Sequence, residues 1–416
     1  MNSKFHINNR KKLMDELDKN SILYLESKDE IIKGDSEHFD FPDYNIFHLT
    51  GIEQAKTKLI ITKNSNGIIE EYLFILDRDQ KMEMWVGKRL SLNDARKISG
   101  IKNVYYEKDY NEISEKLFPK YELLYYYKYD RLREINKSSY QINYEKIKRK
   151  YKLSSKNFFK EISKLRQTKT DEEIALIKKA MKITNLSFRN IIKNIKSYKS
   201  ENEIEAQMTY DYIKNNCKHS YHPIIASGNN ANTLHYIKNN DKLKKGDLIL
   251  IDCGAEYNNY KTDITRTFPI SGKFSKRQKE VYTAVLDVQK YAIKLLKPNL
   301  DRIEWEKSVN KFMAQKLIEL KLITKDQFEK DKQILRKFYP HATGHFLGLD
   351  THDLGDFYTK FQIGEVYTVE PGIYIEKEKI GIRIEDNVLI TKSGCEVLSK
   401  SIPKEIKILE KLSNYK

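Results

Sequence analysis

At 416 residues and 49.3 kDa, the chain exceeds the roughly 250 to 300 residues at which a single core stops growing, so two domains are expected. A net charge of +17 and a pI near 9.3 would ordinarily point to nucleic acid or an anionic surface. Of the 76 basic residues, however, 62 are Lys and 14 Arg, scattered through amphipathic stretches such as NIIKNIKSYKSENEIEAQ, so no specific nucleic-acid partner is expected.

The opening stretch, MNSKFHINNRKKLMDELDKNS, has no apolar run of signal-peptide length, and no segment approaches 18 apolar residues. A soluble, cytoplasmic protein without a membrane partner is expected. Cys217, Cys253 and Cys395 are widely spaced and form no CxxC pair, which fits a reducing compartment and supports neither a disulfide scaffold nor a thiolate zinc site. Along the chain, RKKLMDELDKN reads as helix, AKTKLIITKN and EEYLFILDRD as short strands, and SLNDARKISG as a capped helix ending at Gly100. Thr170, with Glu173 three positions on, marks the start of a long helix. The boundary falls just before it, giving an α/β domain over 1–165 and a second domain over 166–416, an α+β chain overall. The second domain holds helices to about 215, strands, a helical block over roughly 275–336, and strands again.

The chemistry lies in those later strands. The apolar run Leu248 to Ile251 ends in Asp252, EYNNYK turns at Asn258 and Asn259, and the returning strand carries Asp263. Such a hairpin is expected to set the two acids roughly opposite each other, where facing Cβ atoms are about 4.5 to 5.5 Å apart. In GEVYTVEPGIYIEKEKIGIRIEDNVLI, Glu370 ends an apolar strand and Glu385 returns, with Arg383 on the same face. Between the hairpins, PHATGHFLGLDTHD places His341, His345 and His352 in a segment punctuated by Gly344 and Gly348, so a loop is expected there. An Asp at a strand end usually serves a turn, and a His beside glycines usually packs or faces solvent. Two acid hairpins coinciding with a histidine cluster are harder to dismiss. Four carboxylates and an imidazole suit two divalent ions, hard enough to favour Mn²⁺, Co²⁺ or Fe²⁺ over structural zinc. Paired ions of this kind promote hydrolysis.

The ordered set HY at 235–236, DCGAEYNNYKTDITRTFPISGKF, HATGHFLGLDTHD, VEPGIYI and GIRIEDN closely resembles the proline-specific metallopeptidases of the pita-bread fold, above all the Xaa-Pro aminopeptidases, with prolidases next. NIFHLTGIEQAKTKLIIT and MWVGKRL resemble the family's creatinase-like N-terminal domain more loosely. The resemblance implies that Asp252 and Asp263 hold one ion and that Asp263, His345, Glu370 and Glu385 hold the other. Mn²⁺ is expected, with Co²⁺, Fe²⁺ or Zn²⁺ as alternatives. It also implies that Glu370 handles a proton and that His235, His341 and His352 flank the substrate, with His352 steadying the scissile carbonyl. Arg383 and Tyr374 would orient the acidic ligands.

Trp85 aligns with a residue that closes the neighbouring subunit's site in related enzymes, which implies a homodimer; Asn45 stands where some relatives have Asp. The expected reaction releases the first residue from peptides with proline second. A dipeptidase would need an Arg aimed at the proline carboxylate, whereas DITRTFPISGKF, with Arg266, looks more like the aminopeptidases. A metal-free binding module and a metal-free creatine hydrolase on this scaffold are the remaining alternatives, and the intact ligand set argues against both.

Overall fold

Short β-rich runs alternate with capped helices from the start of the chain. The computed structural model describes residues 1–29, 31–33, 37–39, 42–129 and 138–414 and divides into two units, Met1–Leu165 and Arg166–Lys416.

In the first unit, strand Ser21–Glu26 is buried at every position and lies inside a mixed six-stranded sheet. Its neighbours are Lys58–Lys63, antiparallel, and Leu123–Tyr126, parallel. Helix Leu92–Ser99 starts on the Ser91 side chain and ends at Gly100, whose φ of 72° is the left-handed conformation glycine adopts freely. Asn45 is buried in helix Tyr44–Thr50. Helix Gln80–Val86 buries none of its residues, leaving Met84 87% and Trp85 85% exposed.

The second unit starts its long helix, Asp171–Asn194, with a capping box between Thr170 and Glu173. This helix and Glu201–Lys214, Lys276–Leu295 and Arg302–Glu319 surround two three-stranded antiparallel sheets. One sheet orders Ile224–Ser227, Leu248–Cys253 and Ile264–Pro269; the other orders Val366–Val369, Asp386–Thr391 and Gly394–Val397; a third, of shorter strands, orders Tyr260–Lys261, Ala255–Tyr257 and Lys218–His219. A two-stranded hairpin, Gly372–Ile375 with Ile380–Arg383, completes the arrangement. Ile251, Phe268, Val281, Val285, Ile373 and Val388 share one core, burying the sheets' apolar sides against the helices.

The first acid hairpin turns at Asn258 and Asn259, with φ of 46° and 68°, a two-residue turn of the kind that matches strand twist. That turn fixes the register and corrects the expected pairing: Asp252 lies opposite Thr265, not Asp263. Continuing the register past Cys253↔Ile264 puts Asp263 across from Gly254, diagonal to Asp252 on the same face. A Cβ on Gly254 would come within 1.7 Å of the Thr262 carbonyl oxygen, so only glycine fits there. In the second hairpin the ladders Val369↔Asp386 and Gly372↔Arg383 bracket Glu370 and Glu385, which face each other in the gap. The segment 340–353 forms no helix, as its glycines imply.

Candidate metal centre

The two hairpins and the histidine loop converge. Asp263, His345 and Glu385 each offer a ligand atom, all within 4.8 Å of one another. His345 Nε2 lies 3.4 Å from Asp263 Oδ2 and 3.4 Å from Glu370 Oε1. Its Nδ1 lies 2.9 Å from the Phe346 carbonyl, which directs Nε2 to the acids as in a ligating imidazole.

Asp252 joins from the strand end through Arg383, whose Nη2 donates to Asp252 Oδ2 at 2.6 Å. Arg383 Nη1 donates to the Tyr374 hydroxyl at 2.7 Å, and that hydroxyl lies 2.9 Å from His341 Nε2. Arg383 Nε reaches the Thr265 hydroxyl at 3.1 Å, which in turn donates to Glu385 Oε2 at 2.7 Å. One guanidinium thus orients acids from both hairpins.

The electrostatics follow from burying four carboxylates together. Burial pushes the Glu370 carboxyl up to about 7, and the charge of Asp263 adds to it. Glu385 is raised well above the usual range, first by burial and then by Asp263 and Glu370. Asp252 is raised by burial in spite of Arg383. Burial opposes protonation of His345, but its hydrogen bond to Asp263 and the charge of Glu370 overcome this and hold the ring up at about 9. The charge of His345 pushes His352, whose ring centroid is 4.2 Å away, down to about 4. Burial lowers His341 to about 3.

The donor set fits a divalent cation. Glu385 Oε1 is buried and has no hydrogen-bond partner, a costly state for a carboxylate oxygen unless a cation meets it. Clustered acids that raise one another's pKa are relieved in the same way.

Most of the expected site residues are therefore brought together: Asp252, Asp263, His345, Glu370 and Glu385 at the centre, with His341, His352, Arg383 and Tyr374 around them. His235 is exposed and adjoins the cluster through its electrostatic effect on His341 and His352. Arg266 lies outside the pocket. It is fully buried and spends its donors on the carbonyls of Thr265, Glu385, Ile402 and Pro403 and on Asp386. It supports the Glu385 backbone.

Sequence reasoning missed Tyr221, whose hydroxyl reaches Asp263 Oδ1 at 2.5 Å and also Asp252. It missed Asn387 as well, which exchanges hydrogen bonds with the Asp263 backbone. Asn387 closes the GIRIEDN motif, two residues after Glu385, which was the signal available for it; Tyr221 lies in no motif, and only the tertiary fold places it there.

Residues 175–392 match Metallopeptidase family M24, and residues 6–125 match the Aminopeptidase P, N-terminal domain. The chain belongs to metallopeptidase family M24. It is 32% identical over 427 residues to an Xaa-Pro aminopeptidase of Haemophilus influenzae, spanning 98% of this chain and 96% of that one. A candidate aminopeptidase P from Bacillus anthracis superposes with a TM-score of 0.92 at 36% identity, over 99% of this chain and 98% of the other. Zinc-substituted aminopeptidase P from Escherichia coli, in complex with product, superposes at 0.91 with 26% identity over the same shares. The chain is a metal-dependent aminopeptidase, and the dipeptidase alternative is not favoured.

Proposed function

We propose that this enzyme releases the first residue from peptides whose second residue is proline, and that two divalent ions, Mn²⁺ by preference, sit among Asp252, Asp263, His345, Glu370 and Glu385. The observation that carries the reading is the convergence of Asp263, His345 and Glu385, joined by Glu370 through His345 and by Asp252 through Arg383, with one Glu385 oxygen left unpartnered. Asp252 and Asp263 would hold one ion, and Asp263, His345, Glu370 and Glu385 the other. When bound, the ions supply an acidified water and polarise the scissile carbonyl.

The protein's own groups do the rest. Glu370, poised near neutrality by burial, takes the proton of the attacking water and passes it to the proline nitrogen as that leaves. The uncharged ring of His352 steadies the carbonyl oxygen as negative charge develops. His341, held by Tyr374, and His235 flank the substrate chain. An Xaa-Pro bond lacks an amide N–H and carries a rigid ring, so it needs a site shaped for it. Exposed Trp85 fits a homodimer in which it closes the partner's cleft, and three free cysteines fit a reducing, cytoplasmic setting.

The test is a comparison of kcat/KM for Arg-Pro-Pro-type peptides, their Pro-to-Ala analogues, and Gly-Pro on Mn²⁺-loaded enzyme. The proline-second tripeptides are expected to be cleaved best; preference for Gly-Pro would reassign the enzyme as a dipeptidase. Elemental analysis should find about two ions per chain.

A further inference from the structure

His352 differs from the other histidines of its loop in how it is held. His341 and His345 each engage a backbone carbonyl through Nδ1. Among the described residues, the His352 ring has a ring contact with His345 but no hydrogen bond. A ring with no hydrogen bond of its own takes no orientation from its nitrogens, so its position has to come through the backbone on either side.

The next residue, Asp353, provides that anchor. Its carboxylate is buried, with Oδ1 2.5 Å from Arg166 Nη2 and Oδ2 3.0 Å from Lys169 Nζ. Its backbone N–H donates to the Phe346 carbonyl at 2.9 Å, closing the loop next to His345. Arg166 also pairs with Asp350 at 2.7 Å, and Lys261 Nζ holds the Leu349 carbonyl at 2.7 Å. The loop wraps so tightly around this carboxylate that a Cβ on Gly348 would lie 2.2 Å from Asp353 Oδ2 and 2.8 Å from Lys169 Cε. With both cations buried beside it, the Asp353 charge is fully engaged and serves to fix the 352–353 peptide.

We propose that Asp353, clamped by Arg166 and Lys169, is the positioning residue that aims His352 at the scissile carbonyl; this rests on the substrate-facing role given to His352 above. The experiment is a double-mutant cycle on the metal-loaded full chain with an Arg-Pro-Pro-type peptide, measuring kcat, KM and bound metal for Asp353→Asn, His352→Ala and the pair. Asp353→Asn should lower kcat about 10- to 100-fold, since small misplacements of a reacting group cost that much, with KM within about twofold and metal content unchanged. In the His352→Ala background it should cost less than about twofold, because the ring it places is gone. Arg166→Lys, which keeps the charge and loses the fork, should show the same pattern more weakly and takes over the cycle if Asp353→Asn does not fold. Equal losses in both backgrounds, or loss of metal, would overturn the proposal. A fully active His352→Ala enzyme would instead sink the role of His352, and the proposal with it.

Discussion

The acids of this site stand on or beside ladder-bonded hairpins, whereas His341, His345 and His352 come from a glycine-punctuated loop with one isolated bridge, Phe346↔Tyr367, to a neighbouring strand. In the hairpins, position is set by register: the turn at Asn258 and Asn259 decides which residue Asp263 faces, and no charge is needed to keep it there. In the loop, the His345 end is tied to strand Val366–Val369 by backbone hydrogen bonds, whereas the His352 end is set by buried ion pairs, above all those of Asp353. The hairpin backbone should therefore keep its place under changes of acidity and salt that loosen the His352 end of the loop.

The largest expected effect breaks the strand side at its centre. Asp263→Ala removes a proposed ligand of both ions and should cost about a thousandfold in activity together with bound metal. Retained metal, measured by elemental analysis, would show that the hairpin acids do not hold it. Tyr221→Phe is subtler, deleting only the hydroxyl that joins Asp252 and Asp263. Metal affinity should fall about 10- to 100-fold, as for other groups that orient ligands; competition with a chelator reads it directly.

On the loop side the expectation is acid sensitivity. Burial alone would push the Asp353 carboxyl up, but Arg166 and Lys169 outweigh it and hold the group at about 2, against 3.8 unfolded. A depressed pKa stabilises the folded state above the unfolded value, and that stability is lost as pH falls from about 4 towards 2. The contribution is about 2 kcal/mol at neutral pH. Denaturant unfolding of metal-free wild type and Asp353→Asn across that range should show the gap closing; a constant gap would mean the ion pairs contribute little. The smallest effect is at the turn: Asn259→Ala removes the short polar side chain that lets Asn adopt the left-handed region more readily than Ala and should cost about 1 kcal/mol, with Asn259→Gly near neutral.

Much of this was legible in the chain itself. Apolar runs ending in acids gave both hairpins, glycines gave the loop, and caps at Ser91 and Thr170 gave helix starts. The diagonal offset of Asp252 and Asp263 was not legible by eye, because it depends on counting outward from a two-residue turn. The sequence placed Arg266 in an aminopeptidase-like segment without giving its guanidinium a partner. Both faces of strand Ile264–Pro269 are in fact buried, and the fold consumes the guanidinium. Tyr221 lies 31 and 42 residues from the acids it joins, beyond any local pattern.

The bond from the Glu385 N–H to the Thr265 carbonyl, 3.0 Å long, stitches the two hairpins together across 120 residues of chain. Each hairpin closes a short loop and can form early, but their union must wait for a long-range closure that nothing local rewards. The proposed metal centre should therefore form late in folding, since neither hairpin carries all five of its side chains alone. Metal uptake then reports completed tertiary structure, appearing in refolding only after secondary structure has returned.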